Sequence, residues 1–224
     1  MDSGPGMDLR NSSIFDPITG FGGNGQPGVP LVPSRTRIDI PGGTGGGCVL
    51  NGPFANLTLN IGPGDSLEYN PRCLARSLNP TMTMYMNYSN IAPLAEATTF
   101  EQFDYITQST PRSLNDKISI ALHGSGHMAM GVDGADIYSS SCEPLFYLHH
   151  AYLDALWLDW QLADPTGCRF FDISGPRIPF TSEPQVTLDF LIGLGEAGPP
   201  IPISRVMNIT EGNLGGIGCY KYEW

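Results

Sequence analysis

Cations are scarce in this 224-residue chain: 11 Lys and Arg stand against 22 Asp and Glu, for a formal net charge of -11. Nucleic acid and anionic membrane surfaces both require clustered Lys and Arg, so neither is expected as a partner. No apolar run approaches the roughly 18 residues of a membrane-spanning helix. The five cysteines (Cys48, Cys73, Cys142, Cys168, Cys219) form no C-x-x-C pair, which removes a zinc ribbon. Residues 1–30 lack the basic start and apolar segment of a signal peptide. Yet four N-x-S/T sequons, at Asn11, Asn56, Asn87 and Asn208, hint at a secretory origin. Together these two readings predict a secreted, extracellular parent whose N-terminal part is not in this chain.

What is abundant is 28 Gly and 20 Pro, without a collagen-like period and interleaved with apolar runs. Ordered loops follow, and a single domain spanning 1–224 is expected, since neither an internal repeat nor a boundary is visible. Residues 1–96 read as coil with short extended pieces at Arg37–Ile40 and Leu57–Asn60. Residues 97–163 carry the helices. One is predicted over 97–108, with Phe100, Phe103 and Ile106 on one face. A second opens at the capping box Ser113-Leu114-Asn115-Asp116 and runs through Met128. The clearest runs from Pro144 to about Ala163, because Phe146, His150, Leu153, Trp157 and Trp160 recur at helical steps on one buried stripe. Residues 164–224 read as a coil and strand tail with a short helix at 186–194.

Only four histidines occur, and all lie between positions 123 and 150: His123, His127, His149 and His150. His123 and His127 are four apart, so a helix presents both imidazoles to one point. His150 on the next helix would complete a three-nitrogen site suited to copper or zinc, with a position open for a further ligand. Spacing alone leaves open that these rings are core residues packed beside Trp157 and Trp160. The string His123-Gly124-Ser125-Gly126-His127 lacks the glutamate of H-E-x-x-H, so zinc peptidase chemistry is excluded.

The longer string from Glu143 through Gln161 resembles the tyrosinase family's D-P-x-F-x-x-H-H-x-x-x-D-x-x-W-x-x-W-Q signature, and the upstream H-x-x-x-H lies at the family's distance. Segments Ile14–Gly25, Gly47–Val49, Gly52–Asn56 and Tyr69–Leu74 also resemble short fungal members of that family. Tyr220-Lys221-Tyr222 is similar to the Y-x-Y motif that closes its core. The resemblance implies a mainly α fold, part of a type-3 di-copper helical bundle wrapped in Gly/Pro-rich coil. It implies a tyrosinase-like copper oxidoreductase acting on a small phenolic substrate with O2, taking o-diphenols to o-quinones. His123, His127 and His150 map onto the ligands of the second copper. His149 and Asp154 would then support the ligands, Asp154 by fixing an imidazole from one turn away. Cys48 with Cys73 is the expected disulfide, while Cys168 and Cys219 stay open because spacing does not fix connectivity.

Departures from the pattern carry expectations too. The family's two coppers need six imidazoles, so the first copper half would come from an upstream segment or a partner, and the chain alone should be inactive. The rival reading is a non-catalytic single-copper or accessory subunit. Glu143 replaces the family's Asp, which predicts a helix start weaker by about 1 kcal/mol or less. Cys142 leaves an unpaired thiol near the site. Gly124 stands where monophenol hydroxylases of the family often have Asn, which favours catechol oxidation. Gly124 and Gly126 either leave room above the metal or allow close helix packing.

Overall fold

The computed structural model describes residues 8–30, 37, 40–108, 120–178, 181–209 and 220–223. As the Gly and Pro content dictates, most of these are coil and 3-10 turns around four α-helices: α1 (Tyr88–Ile91), α2 (Phe100–Gln108), α3 (Leu122–Met130) and α4 (Leu145–Leu162). Among the described residues the strands are two-residue pairs, β1 (Thr58–Leu59) with β2 (Arg72–Cys73) and β3 (Leu191–Ile192) with β4 (Ile201–Pro202), both antiparallel, beside a few isolated bridges.

Three helices differ from the sequence expectation, the one expected over 97–108 only in starting at Phe100. The helix expected from Ser113 begins at Leu122, with Ile120 and Ala121 non-helical; its capping box lies outside the described residues. The helix expected over 186–194 does not form. Its backbone pairs instead with the segment after β4's start, Ile203 donating to the Phe190 carbonyl and Ser204 to that of Leu188, both at 2.9 Å. Local apolar spacing cannot anticipate such a non-local partner. Helix α4 matches its expected span to within one residue at each end.

The chain divides into two compact units, and the division falls inside α4. The first comprises Met1–Ala92 and Ile120–Leu153; the second comprises Pro93–Ser119 and Asp154–Trp224. In the first unit, Phe15, Leu78, Met130 and Leu145 form one apolar cluster, and Val49, Leu59 and Leu74 form another. Each fully buried side chain of this kind contributes about 1.5–3 kcal/mol. A disulfide joins Cys48 to Cys73 beside the second cluster.

Arg76 is fully buried in this unit. Its Nε and Nη2 each donate to a Glu143 carboxylate oxygen at 2.8 Å, and Nη1 donates to the carbonyls of Phe21, Gly22 and Gly23. Glu143 Oε1 also accepts the Leu145 N–H at 3.0 Å, so this glutamate supplies the cap of α4 despite its extra methylene. A buried guanidinium is tolerable because every face of it has a partner.

In the second unit, the C-terminal half of α4 packs on α2. Phe103 meets Trp160 at 5.4 Å between ring centroids and Phe100 meets Trp157 at 5.7 Å. Trp160 donates its indole N–H to the Ala97 carbonyl at 2.7 Å, and Gln161 donates to that of Met207 at 2.9 Å. The tryptophans therefore act as core. No described helix is long and apolar enough to cross a membrane.

Candidate metal centre

Helix α3 is a poor helix by propensity, with two glycines in nine residues. Burial holds it: Leu122, Ser125, Met128, Ala129 and Met130 all face inward. Its end is set by Gly131, whose φ of +65 suits a residue without Cβ. The next residue, Val132, also adopts a positive φ, +38, which is costly for a β-branched side chain. This tight loop brings the Gly134 carbonyl back to His127, whose Nδ1 lies 2.9 Å from it. A carbonyl only accepts, so Nδ1 carries the proton and Nε2 of His127 is left with a free lone pair.

Around that lone pair the other two nitrogens gather. Nε2 of His123 lies 3.1 Å from Nε2 of His127, and Nε2 of His150, reaching across from α4, lies 3.2 Å from it. A metal held by nitrogens at about 2.0–2.1 Å has neighbouring ligand atoms roughly 2.8–3.4 Å apart, depending on geometry. Both spacings to His127 fall in that range. Burial is the main cause that pushes all three rings towards the neutral form a metal needs: His123 falls to about 4, with neighbouring His127 and His150 adding to the effect, and His127 and His150 are lowered as well.

His149 offers a competing triad, since ligand atoms of His123, His127 and His149 lie within 4.8 Å of one another. The set with His150 places two nitrogens within 3.2 Å of His127 Nε2. Nε2 of His149 is committed to the His123 carbonyl at 2.9 Å, so that nitrogen carries a proton and does not coordinate, while its Nδ1 is buried without a hydrogen-bond partner. The expected buried stripe of α4 is also shifted: His150 is half-buried, and the fully buried imidazole is its neighbour His149.

His123, Gly124, His127, Phe146, His150 and Ile137 are among the residues lining a cavity of about 320 Å³. The Phe146 ring covers one side of His150, with centroids 4.1 Å apart. Gly124 and Gly126, alike in sequence, separate here. A Cβ on Gly124 would meet nothing within 4 Å, whereas one on Gly126 would strike the His149 ring at 2.2 Å. Asp154 takes its hydrogen bonds from the tail: its Oδ2 accepts from the hydroxyls of Tyr220 and Tyr222 at 2.7 Å each. Burial, reinforced by that carboxylate, pushes Tyr220 up to about 12 and Tyr222 upward too. Cys142 is a half-buried free thiol. Cys219 lies outside the described residues. Sequence reasoning missed Gly134 and Arg76, which left no signal; of its two readings for the α3 glycines, open space fits Gly124 and close packing fits Gly126.

Comparison with known proteins gives a consistent picture. The family model described as the common central domain of tyrosinase matches residues 7–163. Tyrosinase P of Aspergillus terreus is 32% identical over 96% of this chain and 64% of its own length. An N-acetyl-6-hydroxytryptophan oxidase of Emericella nidulans is 32% identical over 96% of this chain and 66% of its own. A solved polyphenol oxidase variant from Thermothelomyces thermophila superposes with a TM-score of 0.77 at 32% identity, covering 95% of this chain and 63% of that one. The chain thus spans a little under two thirds of these relatives' length.

Proposed function

Because the chain belongs to the tyrosinase family, we propose that His123, His127 and His150 hold one copper ion of a phenol-oxidising centre. The observation that carries this reading is the approach of His123 Nε2 and His150 Nε2 to His127 Nε2, at 3.1 and 3.2 Å, beside a cavity that all three rings line. Copper bound there would supply the one-electron chemistry by which two o-diphenols become two o-quinones while one O2 is reduced to two waters. The chain's own residues do the rest. The Gly134 carbonyl fixes the His127 tautomer, Phe146 covers His150, and the bare Gly124 leaves space for an aromatic ring above the site. That space suits a small phenolic substrate, and glycine where monophenol hydroxylases of the family often have Asn favours a catechol before a monophenol.

A complete centre of the family type takes six imidazoles, and this sequence has four. The second copper would therefore be held by another segment or a partner, and this chain alone would not turn over. The histidine count equally favours the second reading, a single-copper accessory subunit. The Cys48–Cys73 disulfide and the four sequons support an oxidising, extracellular setting. Oxygen uptake separates the activity claims: the copper-loaded chain should consume no O2 with a simple catechol at an enzymatic rate, and His127→Ala should lose copper. Brisk uptake by the chain alone would overturn the half-site reading. Unchanged copper in His127→Ala would overturn the ligand assignment.

A further inference from the structure

One imidazole in the cluster has no place among the ligands and is the most deeply buried of the four. His149 is 3% exposed, directly precedes the proposed ligand His150 on α4, and meets α3 in three ways. Its Nε2–H donates to the His123 carbonyl at 2.9 Å. Its ring lies nearly parallel to that of His123, at 16° with centroids 5.9 Å apart. Its edge rests on the α3 backbone at Gly126, where a Cβ would come within 2.2 Å of Cε1 and 2.4 Å of Nε2. Its Nδ1, by contrast, is buried and without a hydrogen-bond partner.

This arrangement costs the protein something. A glycine inside a helix is less favourable than an alanine, and a buried nitrogen without a partner is less favourable than a solvated one. An apolar side chain on α4 over an alanine on α3 would carry neither cost. What the imidazole supplies that a leucine would not is a directional bond to the residue bearing the first ligand, made through the residue adjoining the last one.

We propose that His149 is a positioning residue of the metal centre: it is not a ligand, and it locks α4 to α3 so that His150 closes on the point where His123 and His127 already converge. Gly126 is its seat: a Cβ there would overlap the ring where it now lies. The inference rests on the copper-site reading above.

Titrating the full chain and its variants with Cu(II) against a chromophoric chelator, with the Cu(II) EPR spectrum as a second readout, tests it. His149→Phe keeps the ring and removes the donor; while still folded by circular dichroism, it should bind copper about 10- to 100-fold more weakly, as loss of a ligand-orienting partner does, with altered hyperfine splitting. His149→Gln, whose amide N–H reaches a similar place, should recover most of that affinity and the parent spectrum. A folded His149→Phe with parental affinity and spectrum overturns the proposal. Should His149→Phe fail to fold, His149→Gln decides alone: parental binding and spectrum support the donor role, and binding weakened 10-fold or more overturns it. Loss of all binding in His149→Phe with retention in His150→Phe would make His149 the ligand and overturn both the proposal and the ligand set. An unsubstituted chain that binds no copper would defeat the copper-site reading itself, an outcome distinct from either.

Discussion

Two glycines one residue apart on α3 face different surroundings, and their substitution should separate them. Gly124→Ala adds a methyl where nothing lies within 4 Å and should raise stability by up to about 1 kcal/mol through helix propensity. Gly126→Ala drives a methyl into the His149 ring and should lower it by about 1–3 kcal/mol. Thermal melting of the two variants side by side checks this, and equal shifts would contradict it. The histidines add a pH dependence. Burial holds His123 down to about 4 and His149 down to about 3, from an ordinary value of 6.5. Below that ordinary value the unfolded chain binds more protons than the folded one. Stability of the metal-free protein is therefore intact above pH 6.5 and falls as pH drops towards 4. Asp104 and Asp133, raised by burial, act in the opposite sense and offset part of the loss at the acid end. Urea midpoints at pH 7 and pH 5 measure it; an unchanged midpoint would show that the rings are not buried in neutral form. At this scale the sequence was informative where chemistry depends on residue type and helical spacing, as for His123, His127 and His150. It was silent on Gly134, whose carbonyl acts only because Val132 takes a left-handed conformation that its β-branched side chain disfavours.

Helix α4 is fixed at its start by a pair that sequence spacing did not flag. Arg76 and Glu143 are 67 positions apart and fully buried, and together they tie the helix cap to the 21–23 segment. Arg76→Met should cost about 3–5 kcal/mol, because it strands a buried carboxylate. Arg76→Met with Glu143→Leu should recover part of this but not all, since three backbone carbonyls lose their donor in both. Chemical denaturation of the three proteins reads this directly; a single variant as stable as the parent would contradict it. Element boundaries followed the same division between local and distant causes. Helix α4 was legible because its apolar period is long and ended by Asp164-Pro165. The 186–194 segment was misread because its backbone is claimed by residues 201–204. Helix α3 could be placed only in part: its histidine pair was plain, but its start at Leu122 depends on packing rather than on a cap, for Ala121 supplies none.

At the scale of the whole chain, the resemblance to the tyrosinase family was readable over nearly its full length, because the signature joins the clustered histidines to the tryptophans that pack α4 on α2. What spacing could not show was that His149, not its neighbour, is the fully buried imidazole and bonds the His123 carbonyl. The central claim is a single copper ion held by His123, His127 and His150. It is tested most directly by quantitative EPR on the Cu(II)-loaded chain, comparing spin count with total copper. One copper per chain, fully visible as spin, and lost in His127→Ala, is the expected result. No bound copper, or two coppers per chain with their spins cancelled, would contradict it.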